Sequence, residues 1–196
     1  SAKDKLGNEN LTETRTITIT EGTDVTGCRV FGLANTIYTQ KTNIIPLTSP
    51  CINITVENVT FNGNGYWISN TTLSGTGIYS NQFNTTIKNC NISMKKGGSG
   101  GGIYLQGANN SYIYNNTLYS NLYGLNLVLT SNTKIENNTA NNNGYGLYLF
   151  SNSNNNILTN IVANSNNYGI VLWTSSNNTL TNITANSNDY GIVLWS

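Results

Sequence analysis

A glycine followed by alternating apolar residues returns through the second half of the chain at a nearly constant interval. The copies are Gly102-Ile-Tyr-Leu, Gly124-Leu-Asn-Leu, Gly146-Leu-Tyr-Leu, Gly169-Ile-Val-Leu and Gly191-Ile-Val-Leu, each about 22 residues after the last. Gly77-Ile-Tyr-Ser is a degenerate earlier copy, set further off by the loop Lys95-Lys-Gly-Gly-Ser-Gly-Gly-Gly102. So short a period constrains the chain more than any other feature. A unit of that size encloses no core of its own and must bury its apolar face on its neighbours. Ten to twelve positions after each glycine stands a second apolar anchor: Ile87, Ile113, Ile135, Leu158 and Leu180, with Val56 at the same place further back. Two positions later comes Asn58, Asn89, Asn115, Asn137, Asn160 or Asn182, and three beyond that Phe61, Ile92, Leu118, Ala140, Ala163 or Ala185.

The alternation in Gly-Ile-x-Leu is the two-residue period of a strand with Ile and Leu on one face. Leu180-Thr-Asn-Ile-Thr-Ala reads as a second short strand broken by a bend, and the Asn, Ser and Gly clusters between strands read as turns. No segment keeps a helical period over three turns. Short strands and tight turns repeated about every 22–23 residues predict an all-β parallel β-helix, with successive coils stacked about 4.8 Å apart. The recurring Asn58, Asn89, Asn115, Asn137, Asn160 and Asn182 are expected at an inward bend. There their amides would hydrogen-bond along the axis as an internal Asn ladder. The β-helix is expected over residues 23–196, with regular repeats from about 77 to 196. Residues 1–22 are expected as a polar N-terminal cap containing a first strand, Thr14-Arg-Thr-Ile-Thr-Ile-Thr20; more than half of the charged side chains stand before Val30.

These motifs, Gly-[Ile/Leu]-x-Leu and Asn-Asn-x-[Ile/Leu]-x-Asn, resemble those of the right-handed parallel β-helix repeat proteins. Those include the NosD-like periplasmic proteins and the β-helix domains of carbohydrate-active enzymes. The likeness spans roughly residues 50–196. It implies the right-handed fold but no single activity, because that fold serves many functions. Copper handling, which the NosD-like proteins suggest, is not carried over: one Met, three scattered Cys and no His make a poor copper ligand set.

The residues offer little chemistry. With no His in the chain, His-based triads and His–metal sites are excluded. Between residues 97 and 196 the only charges are Lys134, Glu136 and Asp189; the first two flank inward Ile135 and should form an exposed ion pair. No two carboxylates of the repeats are expected at the roughly 5–10 Å separation of glycoside hydrolysis. The glycine-rich loop after Lys96 lacks the Gly-Lys-Ser/Thr ending of a phosphate cradle. No catalytic residue, metal ligand or cofactor is therefore assigned, and a non-enzyme is expected. A net charge of +1 gives no field for nucleic acid, and no apolar run approaches the about 18 residues that cross a bilayer.

Other residues point outside the cell. Cys28 and Cys51 lie one repeat apart, so they stack in neighbouring coils and can pair as a disulfide, while Cys90 replaces Val59 or Ile161 as a small buried hydrophobe. Asn fills 38 positions, and 11 of them open an Asn-x-Ser/Thr sequon. Asn10, Asn53, Asn70, Asn84, Asn91, Asn109 and Asn177 are candidates for glycosylation, the ladder asparagines being excluded by their expected burial. If Ile and Leu point inward, the residues between them point out. Tyr148, Phe150, Val171, Trp173, Val193 and Trp195 then make an outward apolar stripe, which marks a contact surface. The chain stops at Ile192-Val-Leu-Trp-Ser196 without a polar cap, so either further repeats follow or this edge meets the start of another subunit, head to tail. The function expected is a glycosylated extracellular subunit of a filament, sheath or surface layer. The alternative is a carbohydrate-binding or adhesive module.

Overall fold

A computed structural model describes residues 23–97 and 100–196. The expected cap, its strand Thr14–Thr20 and Asn10 lie outside them. The described residues form twenty short strands and no helix, all paired in parallel. Each coil has three legs. The Gly-Ile-x-Leu leg builds an eight-stranded sheet that includes Gly101–Gln106, Tyr123–Val128, Tyr145–Phe150, Tyr168–Trp173 and Tyr190–Trp195. The other two legs build a 12-stranded sheet that folds around a bend; the strands Ile157–Val162 and Thr179–Thr184 run through that bend and join its two halves. Register follows the sequence period: Tyr123 pairs with Tyr145, Tyr145 with Tyr168, and Tyr168 with Tyr190.

The core consists of columns of like residues. Ile52, Ile78, Ile103, Leu125, Leu147 and Ile170 are fully buried in one column, and Leu105, Leu127 and Leu149 in the next. Facing them, Phe61, Ile87, Ile113, Ile135 and Leu158 fill the second leg, and Ile68, Ile92, Leu118, Ala140 and Ala163 the third. The third leg shrinks to alanine where it meets the glycine that opens the next strand. A Cβ on Gly124 would lie 2.5 Å from the Gly146 oxygen and 3.2 Å from the Ala140 Cβ. The repeated glycine is thus demanded by close approach at a narrow corner. Cys28 and Cys51 are disulfide-bonded across neighbouring coils, and Cys90 is buried.

The corners explain the asparagines. Among the described residues, twenty-one other than glycine have a left-handed backbone, and fifteen of them are Asn. Asn tolerates that conformation better than other residues with a Cβ. They recur once per coil at each corner: Asn84, Asn110, Asn132, Asn155 and Asn177 at one; Asn89, Asn115, Asn137, Asn160 and Asn182 at the next; Ser120, Asn142, Ser165 and Ser187 at a third. The side chain one residue later turns inward. Asn116 and Asn138, and likewise Asn121, Asn143 and Asn166, are buried. Each accepts a backbone N–H from the preceding coil and donates to a carbonyl there. The Asn143 Oδ1 accepts from Asn121 N–H at 2.9 Å, and its Nδ2 donates to the Leu118 oxygen at 2.9 Å. The side-chain amide replaces the ladder bonds that the backbone cannot make while it turns, so buried polar groups stay satisfied.

The expected ladder is corrected in two respects. Asn115, Asn137, Asn160 and Asn182 do bond amide to amide, Asn182 Nδ2 to Asn160 Oδ1 at 2.7 Å and Asn115 Nδ2 to Asn89 Oδ1 at 2.6 Å, but they are exposed on the outside of the bend. The left-handed residue swings its own Cβ outward and hands the interior to its successor. Asn58 does not belong to this row. It sits one corner earlier and accepts from Asn84 Nδ2 at 2.9 Å, while Asn62 takes the ladder place below Asn89. Phe61 correspondingly pairs with Ile87 rather than Ile92.

Candidate functional site

A small cluster of charged and phenolic side chains stands on the second leg. Lys134 Nζ lies 2.7 Å from Glu136, Tyr112 donates its hydroxyl to Glu136 at 2.5 Å, and the Lys134 ammonium sits 5.0 Å from the centre of the Tyr112 ring. The hydrogen bonds from Lys134 and then Tyr112 hold the Glu136 carboxyl below the usual carboxylate range, and the bond to Glu136 raises the Lys134 ammonium. The pairing Lys134–Glu136 was legible from spacing; Tyr112 was not, because it reaches them from the coil before. Among the described residues no three His, Cys, Asp or Glu side chains cluster, and no helix is long and apolar enough to cross a membrane. Burial pushes the Cys90 thiol up to about 12, so it stays protonated and unreactive.

The sequon asparagines differ in how freely their amides stand. Asn70 Nδ2 donates to the Pro46 oxygen at 2.7 Å, Asn91 Nδ2 to the Gly65 oxygen at 2.6 Å, and Asn84 Nδ2 to Asn58. That nitrogen is the atom a glycan would occupy. Asn109 Oδ1 accepts from Ser131 N–H at 2.7 Å, Asn53 lies half-buried in register with Tyr79, and Asn177 is exposed at a left-handed corner.

The outer face of the eight-stranded sheet gathers most of the aromatic surface. Phe150, Trp173 and Trp195 form one column, with Phe150 and Trp173 centroids 5.7 Å apart and Trp173 and Trp195 5.0 Å apart, both edge-on. Beside it runs a second column: Tyr123, Tyr145, Tyr168 and Tyr190, stacked at 5.0, 4.8 and 4.8 Å. These tyrosines face outward because Gly124 and Leu125 are both buried, which breaks strict alternation and leaves the preceding residue outside. Tyr148 lies between the columns, 5.3 Å from both Tyr123 and Tyr145. Burial first, then the neighbouring phenols of Tyr123 and Tyr145, push its hydroxyl up to about 12.

Of the six residues expected on this stripe, Trp173 and Trp195 are exposed by 41% and 37%, while Tyr148, Phe150 and Val193 are half-buried. Val171 is a correction. It lies in register between Tyr148 and Val193, but it is fully buried, because the rings around it stand taller than its isopropyl group. Within the column Tyr79, Tyr104, Asn126, Tyr148 the ring is missing at Asn126. A groove opens there, lined by Tyr104, Leu122, Tyr123, Asn126, Val128, Tyr148 and Phe150.

The family described as right-handed β-helix region matches residues 17–196. The chain belongs to the right-handed β-helix family. No curated protein and no solved structure matches this β-helix. Its family membership accounts for the solenoid.

Proposed function

We propose that this β-helix is a non-catalytic structural protein of the cell exterior, glycosylated and self-associating through the aromatic end of its eight-stranded sheet. The observation that carries the reading is the uncharged band of Trp173, Tyr190 and Trp195, exposed by 41%, 56% and 37% and braced ring against ring. An apolar patch held rigid by stacked coils loses little side-chain entropy on contact, which favours a second copy as its occupant. The sparse charge from residue 97 onward, and a face with none, support contact rather than catalysis. The Cys28–Cys51 disulfide supports an oxidising compartment.

Electron microscopy and light scattering of the secreted, unrefolded protein test this. Filaments, sheets or dimers that Trp173→Ser with Trp195→Ser disperses are expected. A monodisperse monomer at high concentration would sink the assembly reading. A second reading, carbohydrate binding, is favoured by the groove at Asn126.

A further inference from the structure

The asparagine row at the corner between the second and third legs is interrupted at one step. Elsewhere each amide donates from Nδ2 to the Oδ1 one coil earlier: Asn89 to Asn62 at 2.9 Å, Asn115 to Asn89 at 2.6 Å, Asn160 to Asn137 at 2.9 Å and Asn182 to Asn160 at 2.7 Å. Between Asn137 and Asn115 that bond is missing, and Asn137 Nδ2 meets no other acceptor among the described residues. The Asn137 oxygen is held by Asn160, so the open nitrogen has a set direction. The residue is exposed, with a left-handed backbone at φ 55°. Coils stand on both sides of it, so its exposure does not depend on either end of the solenoid.

Asn137 opens the sequon Asn137-Asn138-Thr139, and its exposure returns to it the modification that burial would forbid. Thr139 faces outward on the third leg, half-buried, and its hydroxyl has no hydrogen-bond partner among the described residues. The amide that is modified and the hydroxyl that completes the sequon are therefore both open. Most other sequons lack one or the other. Asn70, Asn84, Asn91, Asn115 and Asn182 have Nδ2 pinned to the coil before. In the Asn53 sequon, Thr55 donates its hydroxyl to the Phe31 oxygen at 3.0 Å; in that of Asn109, Ser111 is buried and donates to the Ala108 oxygen at 2.7 Å. Asn58 is half-buried, and Asn177, a candidate from sequence, meets the same conditions as Asn137. A sugar on a pinned nitrogen is pressed against the neighbouring coil. On Asn137 it projects into water, and the bond from Asn160 to Oδ1 survives. The finished coil imposes this whether attachment precedes or follows folding.

We propose that Asn137 carries an N-linked glycan, transferred from an oligosaccharide esterified to a lipid phosphate. Asn137 Nδ2 bonds to the anomeric carbon as the bond from that carbon to the phosphate oxygen breaks. The lipid phosphate leaves with the electron pair, and one amide proton ends on it. This site rests on the glycosylated, extracellular reading above. Its corner lies off the eight-stranded sheet, so the glycan leaves the Trp173–Trp195 band free for a second copy.

The test is glycopeptide mass spectrometry of the full chain as secreted by its native host. Trypsin with chymotrypsin releases residues 135–145, in which Asn137 opens the one sequon. That peptide should carry a glycan, whereas Asn115, with the same Asn-Asn-Thr sequence one coil earlier, should be bare. Thr139→Val keeps the shape of the side chain without its hydroxyl and should lower the intact mass by that one glycan; Thr139→Ser should retain it. Both variants should keep the wild-type circular dichroism. A bare 135–145 peptide beside glycans at other sequons, or equal occupancy of Asn115 and Asn137, would overturn the proposal and leave the glycosylated reading standing. No glycan at any sequon would overturn both.

Discussion

At the scale of single residues, the corner pairs Asn137-Asn138 and Asn142-Asn143 show how identical side chains take opposite roles. The first member carries the left-handed backbone and faces water; the second is buried and bonded to the coil before. Replacing Asn143 by Ala removes an acceptor for Asn121 N–H and a donor for the Leu118 carbonyl and leaves both buried. A loss of about 2–4 kcal/mol in urea unfolding is expected. Asn137→Gly keeps the permitted backbone and should cost under about 1 kcal/mol; equal losses in the two variants would contradict the assignment of inner and outer positions. Tyr148 carries a pH signature. Its folded pKa is raised, to about 12, above the ordinary value near 10. The folded state therefore holds the proton more tightly than the unfolded chain. Its contribution is fully present below about pH 10 and is lost as pH rises toward about 12. Tyrosinate absorbance of the native protein should show a late-titrating phenol that disappears in Tyr148→Phe.

At the scale of the strand and its corner, the Tyr-Gly step sets the geometry of the face. Gly124 brings the third leg against the first, and its neighbour Tyr123 is turned outward as a result. A methyl at Gly124 meets the Gly146 carbonyl, the Asn143 amide nitrogen at 3.1 Å and the Ala140 methyl. Two of these are held in hydrogen bonds or sheet pairing, so the corner must spread. Gly124→Ala should cost more than about 2 kcal/mol and shift the near-ultraviolet circular dichroism of the stacked tyrosines. The control Gly107→Ala, at a left-handed position with open space around it, should leave that spectrum unchanged. The same strands show where periodicity was readable. Every Gly-[Ile/Leu]-x-Leu copy is a strand of the eight-stranded sheet, and in the copies from Gly102 to Gly169 the Ile and Leu side chains are buried, as the two-residue period requires.

At the scale of the whole molecule, stability is distributed along one axis, because each coil touches only its neighbours. Leu147 is fully buried between coils, whereas Leu194, in the neighbouring column at the end of the sheet, is 72% exposed. Leu147→Ala should destabilise by about 2–5 kcal/mol. Hydrogen exchange should be slowest in Tyr123–Val128 and Tyr145–Phe150. Uniform protection along the axis would instead mark the solenoid as a single cooperative block.

The amino-acid sequence by itself determined the coil, its period, the inward columns and the possibility of a Cys28–Cys51 bridge. Each follows from local alternation or from a repeat spacing visible along the chain. Which asparagine of a pair faces inward was decided only in three dimensions, because a left-handed residue reverses the alternation on which such a reading depends. So was the register of Asn58 and Phe61, where the coils lengthen and the step from Ile52 to its partner Ile78 exceeds that from Leu125 to Leu147. The outward turn of the tyrosine column and the open amide of Asn137 also belong to the tertiary structure. Both depend on contacts between side chains a full coil apart, and the stacking of coils alone brings those together.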